Sequence, residues 1–273
     1  MSKTWFVTGA SRGLGRAFVE AALSRGDNVA ATARDTTSLT ALQEKYGKAV
    51  LPLALDVHNR EAVFASVAEA RAHFGRIDVV VSNAGYGLLG AVEEITEQQL
   101  RDQIETNLFG SVWVLQAALP HLREQGSGHL IQISSVAGVT AMPLGGAYAA
   151  SKWGIEGLVE TLAQEVAQFG VKVTIVEPGG YATEGAAGAV HAQVAPQYAA
   201  LREGFAALAE TLEFGDPAAA GRAMLALADA EEPPLRTFFG VQGGPIVEAV
   251  YADRLKTWTD WQDLAVEAHG DRA

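Results

Sequence analysis

The sequence predicts an α/β fold built on one doubly wound parallel sheet. Short apolar runs rich in Val, Ile and Ala alternate with longer helical patterns from the N-terminus onward, and glycine or polar residues bound each run. Strands and helices in strict alternation form right-handed βαβ units, with helices on both faces of a parallel sheet. Ligands of such sheets bind beyond the carboxyl ends of the strands, so the residues after each strand are the first candidates for a site.

The sequence predicts seven strands and four long helices. The runs predicted as strands are Thr4–Thr8, Asn28–Arg34, Val50–Leu55, Ile77–Ser82, His129–Ser134, Lys172–Glu177 and Leu235–Val241. Patterns with apolar residues at helical spacing predict helices. They are Leu14–Arg25, Arg60–Phe74, Gln98–Glu124 and Tyr148–Phe169. No linker or internal repeat interrupts residues 1–273, which indicates a single domain.

Two segments depart from this alternation. Residues 184–215 are rich in Ala and Gly and directly follow a predicted strand end, which favours a helical lid over a substrate; a poorly constrained surface loop is the alternative. Residues 246–268 carry large apolar side chains at spacings of three and four, which predicts a C-terminal helical extension with one apolar face. These side chains are Val247, Val250, Tyr251, Leu255, Trp258, Trp261 and Leu264.

Composition excludes several classes of protein. The 273 residues carry a formal charge of −12, which leaves no basic stripe for a nucleic acid. The chain has no cysteine, which excludes disulfides, thiolate metal sites and thiol catalysis, and its six histidines form no metal-binding spacing. The start has no apolar signal segment, and no apolar run is long enough to cross a membrane. We therefore expect a cytoplasmic protein with no metal and no membrane partner.

A glycine-rich turn links the first strand to the first helix. Gly9, Gly13 and Gly15 let the backbone turn tightly and approach a pyrophosphate at the helix N-terminus, where free N–H groups attract anions. The spacing G-x-x-x-G-x-G differs from the common G-x-G-x-x-G, and a merely tight turn is the alternative. The same residues match the G-x-S-x-G elbow of hydrolases around Ser11. That elbow needs an oxyanion loop from an earlier strand, and only eight residues precede Gly9.

The end of the second strand indicates which dinucleotide the turn would hold. An acidic residue there would accept the ribose 2′-hydroxyl of NAD, whereas an arginine accommodates the 2′-phosphate of NADP. Ala33 stands in place of the acid and Arg34 supplies the cation, with Arg12 in the glycine turn as a second one. Asp35 is adjacent, but neighbouring strand-end residues point in different directions. NADP is therefore favoured, and a merely solvated role for Arg34 is the alternative.

The third and fourth strands also end in residues suited to a dinucleotide. Asp56 and Val57 follow the third strand, where a carboxylate can accept from an adenine amino group. Asn83, Ala84 and Gly85 follow the fourth strand, where small residues would let the backbone lie against a cofactor. Either motif alone would indicate no more than a turn.

Three side chains later in the chain predict proton transfer. Tyr148 and Lys152 share one helix face, with Cβ atoms ~5–6 Å apart, and Ser135 precedes the tyrosine by thirteen residues. A free phenol with a pKa of ~10 is a weak acid near neutrality, but a cation ~5 Å away at an effective dielectric of ~20 favours the phenolate by ~3 kcal/mol. Tyr148 would donate a proton to a carbonyl oxygen, and Ser135 would donate a hydrogen bond to it. Ser134 is the competing serine, and for the Tyr–Lys spacing alone a buried structural pair is the alternative.

Together these motifs closely resemble the short-chain dehydrogenase/reductase family. The correspondence covers about residues 4–183. It rests on TGASRGLG at 8–15, Asp56, NAG at 83–85, Asn107, ISS ending at Ser135, YAASK at 148–152 and PGGYAT at 178–183. The resemblance implies a Rossmann-type sheet, a nicotinamide cofactor and interconversion of alcohols and carbonyls. It assigns catalysis to Asn107, Ser135, Tyr148 and Lys152.

The resemblance also extends the predicted cofactor site. Lys152 is expected to hold the nicotinamide ribose, Asn107 to bind a water that links Lys152 to solvent, and the loop from Pro178 to close over the nicotinamide and phosphates. From sequence alone, Asn107 within a long helix would more simply be a helix irregularity. The full predicted cofactor set is Gly9, Ser11, Arg12, Gly13, Leu14, Gly15, Arg34, Asp56, Val57, Asn83, Ala84, Gly85, Tyr148, Lys152, Pro178, Gly179, Tyr181 and Thr183.

The chain departs from the family pattern at two positions. Ser82 stands where a second asparagine is usual, which bears on strand support more than on chemistry. Tyr181 stands where an apolar β-branched residue is common, which bears on the shape of the nicotinamide contact.

The sequence therefore predicts an NADP(H)-dependent alcohol dehydrogenase or carbonyl reductase. Its pocket candidates are mostly apolar, which favours a hydrophobic ketone or secondary alcohol. They are Tyr86, Leu88, Val136, Met142, Leu144, Tyr181 and residues 184–215. A dinucleotide-sensing binding protein without chemistry is one alternative, but it should have lost Tyr148 or Lys152. A related lyase such as a halohydrin dehalogenase is another, but it typically has arginine for the lysine and an altered glycine turn.

The family resemblance further implies a homo-oligomer. Helices Gln98–Glu124 and Tyr148–Phe169 are expected to pair across a two-fold axis. Four apolar side chains could form this contact, although some of them must face the sheet. These side chains are Trp113, Leu115, Leu158 and Leu162. The tail adds an apolar stripe that must be covered. A dimer is favoured over a tetramer, with the tail folded over its own subunit or its neighbour.

Overall fold

A seven-stranded sheet forms the centre of the computed structural model, which describes residues 2–183 and 189–270. Its strands are β1 (Thr4–Val7), β2 (Asn28–Ala33), β3 (Val50–Ala54), β4 (Val79–Ser82), β6 (Gly128–Ile133), β7 (Val171–Pro178) and β9 (Arg236–Phe239); β5 (Leu88–Leu89) and β8 (Val190–His191) form a separate parallel pair. The sheet order is β3-β2-β1-β4-β6-β7-β9 with every pair parallel. The predicted doubly wound parallel sheet is therefore confirmed. Its order reverses between β1 and β4, where ligands of such sheets bind.

Helices cover both faces of the sheet. They are α1 (Gly13–Arg25), α2 (Thr40–Tyr46), α3 (Arg60–Phe74), α4 (Glu97–Ile104), α5 (Gly110–Gln125), α6 (Gly146–Val166), α7 (Ala199–Glu210), α8 (Pro217–Asp229), α9 (Gly243–Asp260) and α10 (Gln262–His269). Side chains alternate between faces along a strand, so Trp5 and Val7 of β1 pack with α1 and α8, while Phe6 packs with α3, α5 and α6. In the described part of the chain, no helix combines the length and apolar character needed to cross a membrane.

The predicted helix Gln98–Glu124 is interrupted in the middle. One π-helical turn, Glu105–Phe109, separates α4 from α5 and contains Asn107, whose side chain is fully buried. The irregularity that the sequence suggested at this asparagine is present, and such single π turns often occur at functional sites. The turn points the side chain of Asn107 into the interior, where it hydrogen-bonds to Tyr86 and Ser151.

The predicted lid is an ordered substructure where the structure describes it. Residues 189–215 include β8 and α7 and lie against the turn that follows β5. Glu94 in that turn is the main link, since its Oε1 accepts from the backbone N of Ala195 at 2.7 Å and its Oε2 pairs with Arg202. Residues 184–188 of the predicted lid lie outside the described residues. A merely unconstrained loop does not fit residues 189–215, whereas a role as a lid stays a prediction.

The C-terminal extension forms two helices, α9 and α10, that meet at Trp261. Its predicted apolar stripe is half-buried at Val247 and Val250, whereas further along Leu255 is 59%, Trp258 64% and Trp261 63% exposed. Arg254 also reaches the main body and donates to the carbonyl oxygen of Val139 at 2.9 Å. The first part of the tail therefore packs on its own subunit, and the stripe from Leu255 onward is not covered by it. Cover by a neighbouring subunit stays a prediction.

Candidate active site

The glycine turn lies at the carboxyl end of β1, beside the point where the strand order reverses. Gly9 has a φ of +68°, a backbone conformation that side chains disfavour. A Cβ on Gly15 would overlap the carbonyl oxygen of Gly9 and lie 2.5 Å from Nδ2 of Asn83. The N-cap residue of α1, Arg12, makes no side-chain capping bond, so the first N–H groups of the helix stay available to an anion.

The ends of β1 and β4 are fastened together by Thr8 and Asn83. The hydroxyl of Thr8 accepts from the backbone N of Asn83 at 2.9 Å and from that of Ala84 at 3.0 Å. In return, the side-chain amide of Asn83 donates to the carbonyl oxygens of Thr8, at 2.8 Å, and Gly9, at 3.3 Å. The predicted cofactor residue Asn83 thus uses its side chain to hold the glycine turn in place.

Two arginines stand exposed at the same edge of the sheet. Arg34 follows β2 and Arg12 lies in the glycine turn, and in the described residues neither guanidinium forms an ion pair. Asp35, the neighbouring acid, is engaged elsewhere, because its carboxylate accepts from the backbone N of Thr37 at 2.9 Å. That bond also lowers the pKa of Asp35. The carboxylate of Asp35 is therefore held by the local turn and does not pair with Arg34 in the described residues.

The remaining strand-end residues lie where the sequence predicted them. Asp56 is exposed beyond β3, and one of its carboxylate oxygens accepts from the backbone N of His58 at 3.0 Å. Val57 is buried. Gly85 lies so close to Asn107 that a Cβ there would be 3.0 Å from the side-chain oxygen of that asparagine. A larger residue than glycine would push apart the loop after β4 and the π turn.

The structure brings Ser135, Tyr148 and Lys152 together. Ser135 directly follows the residue after β6, and the other two lie in the first two turns of α6. Lys152 is buried, its amine donates to the carbonyl oxygen of Ile133 at 2.9 Å and lies 5.7 Å from the centre of the Tyr148 ring. Ser135 faces the phenol, whereas Ser134 is buried and faces Glu156. The geometry therefore favours Ser135 over the competing serine.

Burial controls the ionisation of both groups. It raises the pKa of Tyr148, and the contact with the Ser135 hydroxyl opposes this rise. It lowers the pKa of Lys152 to about 8, against an opposing effect of the carboxylate of Glu156. The expected lowering of the Tyr148 pKa by the lysine is therefore wrong for this arrangement, in which desolvation raises that pKa. The lysine amine points toward β6, and loss of hydration disfavours both charged forms.

Asn107 connects the π turn to the loop after β4. Its side-chain oxygen accepts from the backbone N of Tyr86 at 3.1 Å, and its Nδ2 donates to the carbonyl oxygen of Tyr86 at 2.9 Å and to the hydroxyl of Ser151 at 3.1 Å. Ser151 immediately precedes Lys152 on α6. The amide therefore positions the walls of the site, and the expected role in binding water stays a prediction.

The loop after β7 is held by the C-terminal part of the chain. Pro178 ends the strand, and the backbone N of Gly179 donates to the carbonyl oxygen of Phe239 at 2.9 Å. The next residue, Gly180, donates from its backbone N to the side-chain oxygen of Gln242 at 2.9 Å. The loop is thus hydrogen-bonded to β9 and to the N-cap residue of α9.

Tyr181 and Thr183 end up on different sides of this loop. Tyr181 is buried in the core of α1 and α8, and a Cβ on Gly215 would be 2.8 Å from its ring. Its ring is therefore part of the core, and its backbone carbonyl oxygen accepts from the backbone N of Thr183 at 2.8 Å. The side chain of Thr183 lies over the glycine turn, 3.6 Å from where a Cβ on Gly13 would be.

The predicted pocket residues differ in exposure. Leu88 and Val136 are buried, Tyr86 is half-buried, and Met142 is 44% exposed. Leu144 is buried with a φ of +64°, and no other non-glycine residue among those described has a positive φ. Such a conformation is strained and is often found at functional sites.

Sequence reasoning missed two residues that build the site. Thr8 could have been suspected, because it is a buried polar residue at the strand end just before the glycine turn. Gln242 had no local signal, since it is far in sequence from the loop that it holds. In the part of the chain that the structure describes, no group of three or more acidic, His or Cys side chains could hold a metal ion.

The fold, the glycine turn and the Ser–Tyr–Lys geometry define a dinucleotide-dependent oxidoreductase of the doubly wound class. A family model described as short chain dehydrogenase matches residues 3–210. The chain therefore belongs to the short-chain dehydrogenase family, as the sequence motifs predicted.

Three similar proteins refine this membership. An oxidoreductase from Botryotinia fuckeliana, BOA17, is 44% identical over 97% of this chain and 99% of its own. The crystal structure of a short-chain dehydrogenase from Streptomyces avermitilis is 38% identical, covers 98% of each chain and superposes with a TM-score of 0.92. An alcohol dehydrogenase from the archaeon Thermococcus sibiricus, solved with 5-hydroxy-NADP, is 27% identical over 88% of this chain and 96% of its own, with a TM-score of 0.72.

Proposed function

We propose that this oxidoreductase interconverts a carbonyl compound and its alcohol with NADP(H). The observation that carries the proposal is the convergence of Ser135, Tyr148 and Lys152 at the carboxyl edge of the sheet, next to the glycine turn. A proton donor, an oxygen-binding hydroxyl and a buried cation are the groups that hydride transfer to a carbonyl requires from a protein.

The residues present fit the cofactor. The glycine turn is closed to any Cβ at Gly15, which leaves backbone and helix N-terminus to meet a pyrophosphate. Ser11, Arg12, Gly13 and Thr183 lie together at the N-terminus of α1. The guanidinium groups of Arg12 and Arg34 would hold the 2′-phosphate. When bound, NADPH supplies the hydride.

Tyr148, Ser135 and Lys152 have separate roles in the proposed reaction. Tyr148 gives its proton to the carbonyl oxygen during reduction and takes it back during oxidation. Ser135 donates a hydrogen bond to the same oxygen as negative charge develops. Lys152, when protonated, stabilises the phenolate that the tyrosine leaves behind. The buried setting strengthens both effects, because charges interact more strongly at low dielectric.

NADPH is expected to be preferred over NADH, chiefly through Arg34. Removing one charge-assisted phosphate contact by Arg34→Ala should cost about 1.5–3 kcal/mol, or roughly ten- to a hundred-fold in NADPH affinity. NADH binding should change little. Steady-state kinetics with both cofactors measures this, with Arg71→Ala as a control that removes one positive charge on α3. Unchanged discrimination in Arg34→Ala would move the role to Arg12.

The substrate is proposed to be a hydrophobic ketone or secondary alcohol. The pocket candidates Leu88, Val136 and Leu144 are apolar, and residues 189–215 add exposed apolar side chains where we propose the lid. A panel of aliphatic, aromatic and steroid-like ketones and alcohols, followed at the NADPH absorbance band, tests both the function and the substrate class. No turnover with any of them would favour an alternative without hydride transfer, either the dinucleotide-sensing protein or the lyase.

The related lyase is disfavoured because Lys152 is present and the glycine turn has the geometry of a dinucleotide site. A lyase would act on its substrate without consuming NADPH, so the same panel separates the two. The cytoplasmic location stays a prediction.

A homodimer is the proposed assembly. Of the four side chains expected at the two-fold axis, Leu115 and Leu162 are buried and cannot serve there, Trp113 is half-buried and Leu158 is exposed. Four large apolar side chains on α4, the π turn and α6 are exposed at 39–43% and support the proposed pairing; they are Leu100, Phe109, Trp153 and Leu158. Light scattering should give the mass of a dimer both for the intact chain and for a truncation after Gly244. A tetramer in the intact chain alone would show that the tail builds a second interface.

A further inference from the structure

A buried carboxylate lies next to the catalytic lysine. Glu156 is four residues after Lys152 on α6, so the two side chains share one helix face. Glu156 is only 4% exposed and Lys152 is also 4% exposed. A buried carboxylate is costly unless a cation or hydrogen bonds compensate it, so its partners decide its charge.

One guanidinium serves three carboxylates at this place. From β9, Arg236 approaches Glu156 at 3.2 Å, Glu160 at 2.9 Å and, at the end of β7, Glu177 at 3.6 Å. Glu160 is largely exposed, whereas Glu177 is 2% exposed. A single positive charge cannot neutralise two buried carboxylates at once.

The more weakly held acid takes up the proton. Burial, with a further contribution from the charge of Glu156, raises the pKa of Glu177 to about 7, although Arg236 opposes the rise. Burial raises the pKa of Glu156 as well, but the charges of Arg236 and Lys152 oppose that rise, and Glu156 has the shorter contact to the guanidinium. Of the two buried acids, Glu156 is therefore the one whose ionised form is better compensated.

Lys152 is a second cation near this carboxylate, one helical turn away on the same face of α6. The amine of Lys152 donates to the carbonyl oxygen of Ile133. This neutral oxygen does not offset the loss of hydration, which lowers the pKa of Lys152. The charge of Glu156 acts in the opposite direction. The carboxylate thus favours the protonated lysine that the tyrosine needs.

We propose that Glu156 is a positioning residue for the reaction, whose buried carboxylate keeps the amine of Lys152 protonated in the pH range where Tyr148 donates its proton. The inference rests on the proposed reductase function, since only proton donation by Tyr148 makes the charge of the lysine matter. Glu156 acts through Lys152 and has no contact with the reacting atoms.

The alkaline limb of the pH profile tests this. In the wild-type protein, kcat/KM for ketone reduction with NADPH should fall as the pH rises through about 8, because Lys152 loses its proton there. In Glu156→Gln the limb should move to lower pH by about one unit, since a full negative charge nearby has been removed. Glu156→Asp keeps the charge and should restore the limb to near its wild-type position.

A matched control comes from the same arginine. Glu160→Gln removes a carboxylate that also pairs with Arg236 but lies in solvent one turn further from the lysine, so neither activity nor the limb should change. If Glu156→Gln does not fold, Glu156→Met fills a similar volume without needing polar partners and should show the same displacement of the limb.

Two results would overturn the inference. One is a limb that stays in place in Glu156→Gln or Glu156→Met while activity falls, which is the behaviour of a purely structural residue. The other is an equal displacement in Glu160→Gln, which would show a general charge effect. Failure of the proposed function is separate, because it would appear as wild-type protein that does not reduce any ketone or whose activity does not depend on Tyr148.

Discussion

Replacing Tyr148 by phenylalanine is expected to lower kcat/KM for ketone reduction by about 10²–10⁴-fold, the usual contribution of a positioned general acid. The substitution removes the transferable proton and leaves the ring, Lys152 and the glycine turn in place. NADPH affinity should therefore remain within a few-fold of wild type. Kinetics with NADPH and cofactor binding followed by fluorescence measure the two quantities separately.

A second tyrosine controls for the loss of a hydroxyl. Tyr46 lies on α2, and its phenol shares a hydrogen bond with Ser24 at 2.9 Å, outside the site. Tyr46→Phe should leave kcat/KM unchanged. If Tyr148→Phe kept more than roughly a tenth of the activity, general acid catalysis by this residue would be wrong, given the contribution that such groups make.

The second large effect is expected at Gly15. In Gly15→Ala the new methyl group has no room between the carbonyl oxygen of Gly9 and the side-chain amide of Asn83. Overpacking of this kind costs about 1–3 kcal/mol of stability, and the turn must move away from the position in which it can hold a pyrophosphate. We expect NADPH affinity to fall by at least about 100-fold, equivalent to ~2.7 kcal/mol. Isothermal titration calorimetry and thermal unfolding measure both losses.

Gly244→Ala is the matched control. Gly244 lies in the first turn of α9, and a Cβ there would meet no atom within 4 Å. The change should leave NADPH affinity intact and raise stability by up to about 0.5–1 kcal/mol, because alanine loses less entropy than glycine in a helix. Equal NADPH affinity in the two variants would show that the glycine turn is not part of the cofactor site.

The motifs of the site were readable because each is local. Tyr148 and Lys152 lie one helical turn apart, Arg34 ends a predicted strand, and the glycine turn and Asn83 each follow a predicted strand directly. In a parallel sheet the carboxyl ends of all strands share one edge, so local patterns in separate places converge without further information. The fold and the residues that it brings together were therefore predictable from the sequence, whereas the chemistry of the site stays a prediction.

The charge states of the buried acids and the contacts that hold the site in place could not be predicted from the sequence. Both depend on contacts between distant parts of the chain. Glu156, Glu177 and Arg236 come from three separate elements, and nothing in their local sequence shows that one guanidinium serves two buried acids. The same is true of Gln242, which holds a loop about sixty residues earlier in the chain. The direction of the Tyr148 pKa also needed the structure, because desolvation is a property of the packed environment.

The sequence by itself determined the alternation of strands and helices, the glycine turn and the placement of Tyr148 and Lys152 on one helix face, since hydrophobic period and short-range spacing carry that information. The tertiary structure decided where the pattern is interrupted. It placed a π turn at Asn107, left the later part of the tail's apolar stripe exposed, and packed the ring of Tyr181 in the core. Each of these depends on which surfaces meet, and a helical or strand period specifies that a face is apolar without specifying what covers it.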